Sequence, residues 1–209
     1  MTNKSPFLRQ PALFPADIGS RPSGFRYLDE FLSPEEEQAL ACWIGTLPLK
    51  PFEFRGYLGN RRVMSFGFRY DYSRQAIDTA SPVPELLAPI IARAAHWSGH
   101  ELTAIRQVLV SEYAPGAPIG WHRDKPQFGN VLGISLLAPA AFRLRRPKDG
   151  GWERETIALA PRSIYLLSGE VRKAWQHSIP PMTALRYSIT LRTLAESFAG
   201  QFGTQQSAA

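Results

Sequence analysis

Residues 104–146 read AIRQVLVSEYAPGAPIGWHRDKPQFGNVLGISLLAPAAFRLRR, and this stretch decides the fold class. Short runs rich in Val, Ile and Leu follow one another there, separated by glycine, proline and polar turns, as in consecutive β-strands. The pattern continues toward the C-terminus and predicts six strands, at about 105–113, 131–138, 141–146, 155–160, 163–168 and 185–193. Short strands in this arrangement predict a β-sandwich or barrel.

Upstream of the strands the periodicity is helical. Ser33-Pro34-Glu35-Glu36 combines an N-cap serine, a proline at the first helical position and a capping-box glutamate. An apolar stripe with helical spacing follows at Leu40, Trp43, Ile44 and Leu47. A second helix is predicted from about Leu87 to a stop at Gly99. The chain is therefore predicted to be α+β, mainly β, with N-terminal helices packed on one face of the β half.

The length and composition fit one folded domain. The chain has 209 residues, of which 44% are apolar, and we expect the domain to span residues 25–194. The proline-broken segment 1–24 and the small, polar tail 195–209 are expected to be flexible. No apolar run approaches the roughly 20 residues of a membrane-spanning helix, so we expect a cytoplasmic protein with no membrane partner. We also expect the protein to be a monomer.

Cysteine content and charge narrow the possible partners. The single cysteine, Cys42, excludes an intrachain disulfide framework and any cysteine-rich zinc or iron–sulfur site. Lysine and arginine outnumber aspartate and glutamate by 24 to 18, which gives a net charge of +6. This surplus favours an anionic partner, with nucleic acid first.

A candidate metal site begins at Trp121-His122-Arg123-Asp124. On an extended segment, residues i and i+2 point to the same side, so His122 and Asp124 can converge on one ion. His177 lies 55 residues after His122, beyond another predicted strand. Two imidazoles and a carboxylate form a facial triad, which leaves positions on Fe(II) for a bidentate 2-oxo acid and dioxygen. Iron is preferred over four-coordinate zinc only if an oxo-acid site lies nearby.

The last predicted strand, Arg186-Tyr-Ser-Ile-Thr-Leu-Arg192, offers such an oxo-acid site. Strand alternation places an apolar set on one face and a polar set, Arg186, Ser188, Thr190 and Arg192, on the other. If the apolar face packs on the helices, the interior receives two guanidinium groups, and buried guanidiniums require anions such as a dicarboxylate. The alternative is an edge strand with solvated arginines.

These motifs together resemble the AlkB family of Fe(II)/2-oxoglutarate-dependent dioxygenases. The order and spacing of Tyr113-Ala-Pro-Gly116, His122-x-Asp124, His177 and the strand 186–192 carry the resemblance, which spans residues 25–194. It implies a double-stranded β-helix (jelly-roll) core with Fe(II) as cofactor and 2-oxoglutarate and dioxygen as cosubstrates. It further implies oxidative dealkylation of alkylated DNA or RNA bases, which releases an aldehyde, succinate and CO2.

The resemblance also implies residue roles. His122, Asp124 and His177 match the catalytic iron ligands. The cosubstrate residues are then Tyr113, Arg186, which pairs with the distal carboxylate, Arg192, which works nearer the metal, Ser188 and Ser111. Ser111 stands where many members of the family carry an asparagine.

Residues 52–72 occupy the place of the family's nucleotide-recognition lid. Aromatic residues alternate there with arginines, as stacking on a base and gripping phosphates require. The candidate substrate-binding residues are Tyr57, Arg61, Arg62, Phe66 and Tyr70. The alternative is a hairpin packed on the barrel, with solvated arginines and with aromatic residues in the core.

A second basic stretch allows two interpretations. Arg143, Arg145, Arg146, Lys148 and Arg154 occur with only Asp149 and Glu153 as acidic neighbours. The segment begins as an alternating strand and turns at two glycines. It is either a solvated strand face or a phosphate-binding surface.

Three functions remain open from the sequence. The first is a dioxygenase that dealkylates nucleic acid, and the basic charge favours it. The second is a dioxygenase that demethylates a protein side chain. The third is a non-catalytic nucleic-acid-binding relative, which would have no need of open iron positions.

Overall fold

The computed structural model describes residues 21–54, 57–71 and 76–199, and the predicted flexible ends fall largely outside these ranges. The strands are β1 (Phe25–Leu28), β2 (Lys50–Phe54), β3 (Tyr57–Asp71), β4 (Ala76–Thr79), β5 (Ile105–Tyr113), β6 (Ile119–His122), β7 (Phe128–Leu136), β8 (Ala140–Lys148), β9 (Gly151–Leu159), β10 (Ile164–Leu167), β11 (Gln176–Ile179) and β12 (Arg186–Leu194). The helices are α1 (Pro34–Thr46), α2 (Ala88–Ser98), α3 (Gly169–Ala174) and α4 (Glu196–Ala199).

Two antiparallel sheets form a jelly roll, as the family resemblance implies. The larger sheet has the order β1-β10-β7-β12-β5-β3-β2, with β4 paired to β3, and the smaller sheet has the order β6-β11-β8-β9. Side chains from both sheets meet in one apolar cluster that includes Tyr113, Val131, Phe142, Leu144 and Tyr165. The functional residues are therefore held between two rigid layers.

The helices cover the opposite face of the larger sheet. The capping box at Ser33 and Glu36 starts α1, and Gly99, at φ 79°, ends α2 in the left-handed region. A second cluster joins Leu40 and Ile44 of α1 to Ile189 and Leu191 of β12. This confirms the predicted packing of the N-terminal helices, and it leaves the polar face of β12 directed to the interior.

The six predicted strands are present, with shifts of a few residues at their ends. Strands β1, β4, β6 and β11, of four residues each, were not predicted from the sequence. The chain also continues past the predicted domain end at 194 into α4, and Ala195 N donates to Gln127 O. No helix within the described ranges is long and apolar enough to cross a membrane.

The candidate lid is partly built into the larger sheet. Strands β2 and β3 form a hairpin, and residues 62–67 of β3 pair with β5. At Gly67 the backbone has a φ of 74° and passes close to Arg106 O, so the position tolerates only glycine without strain. Beyond Gly67 the strand leaves β5 and pairs with β4. One face of the segment nonetheless borders a cavity, because Arg61, Val63 and Ser65 of β3 line it.

Candidate active site

The two histidines of the predicted triad are direct neighbours across two strands. His122 on β6 is the register partner of His177 on β11, and their ring centroids lie 4.2 Å apart. His122 Nδ1 donates to Gly120 O at 2.8 Å, since a carbonyl oxygen can only accept, and this leaves Nε2 as the lone-pair nitrogen. The sheet therefore orients both imidazoles before any ion binds.

Asp124 follows β6 and completes the cluster. Its Oδ2 lies 3.5 Å from His177 Nε2, and its Oδ1 accepts from Arg192 Nη2 at 2.7 Å and from Arg192 Nε at 3.1 Å. The Asp124 side chain is only 6% exposed. Arg192 thus holds one carboxylate oxygen and leaves the other directed to the histidines.

The protonation states match those of metal ligands. Burial lowers the pKa of His177 to about 3, with a further contribution from His122. Burial also lowers the pKa of His122. Burial opposes ionisation of Asp124, but the surrounding charges, Arg192 first among them, together outweigh it, and the pKa of Asp124 lies well below its usual range. The cluster therefore combines two neutral imidazoles with one carboxylate, so His177 and Asp124 do not form an ion pair.

The donor set fits a metal ion, although the side chains do not yet enclose one. Across the described residues, no three histidine, cysteine, aspartate or glutamate side chains are placed so that they could hold a metal ion as they stand. Arg192 gives a physical reason for this open arrangement, because its guanidinium hydrogen-bonds Asp124 Oδ1. The two imidazoles and Asp124 Oδ2 nonetheless converge, and this nitrogen and oxygen set suits Fe(II).

Arg186 is a buried cation without an anion. The residue is 1% exposed, its Nε donates to Ser135 Oγ at 3.1 Å, and its Nη1 has no hydrogen-bond partner among the described residues. Its guanidinium carbon lies 5.1 Å from the centre of the Tyr113 ring. A buried guanidinium with an unused donor requires a bound anion, and a carboxylate of 2-oxoglutarate fits this requirement.

The other predicted cosubstrate residues line the same interior. Ser188 pairs in register with Ser111 on β5 and with Ser135 on β7, and all three are buried. Burial would raise the pKa of Tyr113, but Arg61 and Arg186 outweigh it and lower the pKa. The serine and tyrosine hydroxyls, with the guanidinium groups of Arg61 and Arg186, together make the interior around Tyr113 polar.

Two positioning residues were missed from the sequence. Gln107 is 3% exposed and accepts from Arg192 Nη1 at 2.8 Å, so it fixes the arginine that holds Asp124. Its register position opposite Arg192 would have indicated this role once β5 and β12 were paired. Arg172 of α3 donates to the carbonyls of Asp124, Lys125, Phe128 and Gly129, and no sequence motif marks it.

A cavity of about 1080 Å³ opens over His122 and Asp124. Its wall includes Arg61, Tyr70 and Trp121. The volume suffices for a nucleoside-sized ligand beside the metal cluster.

Only some of the predicted substrate residues in the described part of the chain line the cavity. Arg61 lines the cavity, hydrogen-bonds Tyr113 and stacks 4.0 Å from the centre of the Phe52 ring. Tyr70 also lines the cavity, and Lys125 Nζ lies 5.1 Å from its ring centre. The side chain of Tyr57 lies outside the described part of the chain.

Two of these predictions are corrected. Phe66 is 3% exposed and packs in the helix-side core against Trp43, so it has no face available for a base. Arg62 forms a bidentate pair with Glu112, at 2.6 Å and 2.8 Å, and does not line the cavity. Both residues lie on the opposite face of β3 from Arg61, because side chains alternate along a strand.

Comparison with known proteins identifies relatives of the chain. The model of the 2OG-Fe(II) oxygenase superfamily matches residues 24–192. The "Alkylated DNA repair protein ALKBH8 homolog" of Arabidopsis thaliana is 28% identical over 75% of this chain and 51% of that protein. The mouse "tRNA (carboxymethyluridine(34)-5-O)-methyltransferase ALKBH8" is 26% identical over 77% of this chain and 24% of that protein. The "Alpha-ketoglutarate-dependent dioxygenase AlkB" of Salmonella typhimurium is 30% identical over 61% of this chain and 64% of that protein.

Solved structures share the fold. The structure of OsALKBH1 superposes with a TM-score of 0.63 at 17% identity, covering 81% of this chain and 96% of that one. An oxidoreductase of the 2OG-Fe(II) oxygenase family from Burkholderia pseudomallei gives a TM-score of 0.57 at 17% identity, covering 83% and 86%. The two ALKBH8-type relatives are longer proteins, of which this chain spans about half or less.

Proposed function

The chain belongs to the AlkB family of the 2OG-Fe(II) oxygenase superfamily, and from this premise we propose that it oxidatively dealkylates N-alkylated bases in nucleic acid. Fe(II) and 2-oxoglutarate are the cofactor and cosubstrate of this family. The main observation behind the proposal is the cavity, which joins His122 and Asp124 of the metal cluster to a wall of aromatic and cationic side chains.

Each part of the reaction has residues suited to it. With Fe(II) and 2-oxoglutarate bound, dioxygen would oxidise the alkyl carbon on nitrogen, so that the base nitrogen regains a proton and the group leaves as an aldehyde, with succinate and CO2 formed. His122, Asp124 and His177 would hold the iron, and Arg192 keeps Asp124 aligned and ionised. Arg186 would bind the distal carboxylate of 2-oxoglutarate through its unused Nη1.

The wall of the cavity supports a base as the substrate. Tyr70 offers a ring for stacking, and Arg61 and Lys125 supply positive charge beside it. A flat aromatic ring flanked by phosphates is complementary to such a wall. The carboxylates Glu53 and Asp71 also line the cavity, but the cations Arg61, Arg69, Arg123 and Lys125 outnumber them, which favours nucleic acid over a methylated protein side chain.

The test measures aldehyde and succinate from a panel of methylated substrates. Single-stranded DNA, single-stranded RNA, tRNA and a methylated peptide are incubated with enzyme, Fe(II), 2-oxoglutarate and ascorbate; tRNA is included because some relatives are named for it. We expect aldehyde from at least one nucleic acid and none from the peptide. Asp124→Ala serves as the inactive control, because it removes the anionic ligand while the core residues remain.

Three results would contradict the proposal or its assignment of the iron ligands. Aldehyde from the peptide alone would assign the chain to protein demethylation. Succinate formation from none of the substrates, in protein with measured iron and 2-oxoglutarate binding, would assign it to non-catalytic binding. Activity retained in Asp124→Ala would remove Asp124 from the iron ligands.

A further inference from the structure

The outer face of the smaller sheet carries a stack of tryptophan and arginine side chains. The guanidinium carbon of Arg145 lies 4.3 Å from the ring centre of Trp121 and 4.2 Å from that of Trp152. Arg143 lies 5.2 Å from the Trp121 ring, and Arg154 is the register partner of Arg145 on β9. We call these five residues the Trp-Arg face.

The arginines of the Trp-Arg face keep their charge unpaired. Arg143 Nε donates to Ser178 Oγ at 3.1 Å and Arg145 Nε to Gln176 Oε1 at 2.8 Å, and both acceptors are neutral. In the described part of the chain, no carboxylate forms an ion pair with Arg143, Arg145 or Arg154.

Arg146 of the same strand shows the contrast. It points to the other face of β8 and pairs with Glu153 and Glu170. On β9, Glu153 and Glu155 alternate away from Trp152 and Arg154. Strand alternation therefore divides the arginines of the basic stretch. Arg146, on the inner face, is neutralised by carboxylates, whereas the arginines of the Trp-Arg face, on the outer face, remain unpaired among the described residues.

The Trp-Arg face is continuous with the cavity. Trp121 belongs to both, because it lines the cavity and stacks on Arg145, and it is adjacent in sequence to His122. Trp152 lies at the far end of the stack and is 40% exposed, so part of its ring remains open to a ligand. A chain that enters the cavity can therefore continue along this face without leaving the protein surface.

We infer that the Trp-Arg face binds the single-stranded nucleic acid that flanks the nucleotide held in the cavity, an inference that rests on the proposed function. Unpaired guanidiniums would contact the phosphates, and a base would stack on the open ring of Trp152. Tryptophan rings interleaved with arginines match a strand that alternates bases with phosphates. An acidic protein surface would supply the charge but no bases to stack.

The test compares ligands of different length. Affinity is measured for an unmodified single-stranded oligonucleotide of about 15 nucleotides and for a trinucleotide, at several salt concentrations. The variants are Arg145→Gln, Arg154→Gln and Trp152→Leu. Arg26→Gln is the matched control, because Arg26 also stacks on a tryptophan, 4.7 Å from the Trp97 ring centre, but does not line the cavity.

We expect the variants to weaken binding of the long oligonucleotide only. Each arginine change should lower the log–log salt slope by about 0.7, the contribution of one phosphate contact on a single strand. Trp152→Leu should weaken binding about five- to 150-fold with an unchanged slope, as expected for one lost stack. The trinucleotide affinity and the Arg26→Gln protein should be unaffected. Arg154 is exposed, so Arg154→Gln remains a valid test if Arg145→Gln is poorly folded.

Three outcomes would overturn the inference: equal affinities of wild type and variants for the long oligonucleotide, parallel losses for the trinucleotide, or equally strong competition by a polyglutamate peptide. The oligonucleotide carries no alkyl group, so this measurement is separate from aldehyde release. Length-dependent binding without aldehyde release would contradict the proposed function alone. Aldehyde release without length-dependent binding would contradict this inference alone.

Discussion

Arg186 is the residue at which burial and charge conflict most clearly. Its Nη1 is buried with no hydrogen-bond partner among the described residues, so we predict that Arg186→Lys raises the KM for 2-oxoglutarate about ten- to hundredfold, because the ammonium loses a charge-assisted bond that the planar guanidinium can make to the carboxylate. Steady-state kinetics with varied 2-oxoglutarate checks this. Arg62→Lys, which alters an exposed pair with Glu112, should leave the KM unchanged. An unaltered KM in Arg186→Lys would place the residue outside the cosubstrate site.

We predict that substitutions of Phe66 and Tyr70 have different effects, one on the free energy of unfolding and the other on oligonucleotide binding. Phe66 is buried in the core, so Phe66→Ala should lower the free energy of unfolding by about 3–5 kcal/mol. Its oligonucleotide affinity, measured under conditions where the variant is folded, should match the wild type. Tyr70→Ala should instead weaken oligonucleotide binding, because Tyr70 lines the cavity. Denaturant titration and binding isotherms measure the two effects, and a binding defect in Phe66→Ala would contradict the assignment.

At residue scale, the sequence predicted the interior cluster better than the substrate wall. Alternation alone places Arg186 and Arg192 on one face, and His122 and Asp124 can be paired by the same rule. Which face of β3 meets the cavity depends on its register with β5, which sets Arg61 inward and Arg62 outward. No local pattern records that register, so the two arginines could not be distinguished.

Among the elements, α3 has a role that its six residues do not suggest. Arg172 donates to four backbone carbonyls of the segment 124–129, with Nη2 bonds of 2.7 Å to Lys125 O and Phe128 O. We predict that Arg172→Gln weakens metal affinity about ten- to hundredfold, because the segment that carries Asp124 loses its anchor. Metal titration checks this, and Lys173→Gln, an exposed change in the same helix, is the control.

A structural role for Arg172 alone would give a different result. Thermal unfolding would then shift, while the metal affinity of the folded Arg172→Gln protein would stay equal to that of the wild type. Arg172→Lys should recover part of the affinity, because one ammonium can still donate to some of the carbonyls.

Among the elements that the sequence did not predict are the two that position the histidines. Strands β6 and β11 have four residues each, and the paired residues His122 and His177 are 55 residues apart in the chain. By contrast, β5 was predicted with its observed bounds. Both ligands could be named from their residue types, but the strands that hold them became visible only in the fold.

For the whole molecule, the buried histidines predict how stability depends on pH. The pKa of His177 is about 3 in the folded state, against an unfolded value near 6.5, and that of His122 is also lowered. Between these values the unfolded chain binds more protons than the folded chain. The metal-free protein should therefore lose stability as the pH falls from about 6.5 toward 3, by up to about 1.4 kcal/mol per pH unit from His177, and His122 acts in the same direction.

Denaturant titrations of the metal-free protein across this pH range measure the effect. The lowered pKa of Asp124 acts in the same direction below about pH 4, because the unfolded carboxyl binds its proton first. His177→Gln should flatten the profile, whereas His96→Gln, at an exposed position of α2, should not. A profile without slope between pH 6.5 and 4 would show that the histidines are charged in the folded protein.

With His122 and His177 as the proposed iron ligands, their direct pairing would make strand alignment a condition for iron binding. If β11 slipped by one residue against β6, His177 would turn to the outer face and Gln176 or Ser178 would take its place inside. Such a chain could keep its secondary structure and much of its compactness. The ratio of bound iron to protein, measured at saturating iron, would then equal the fraction of correctly aligned chains. Circular dichroism would not distinguish these chains from the slipped ones.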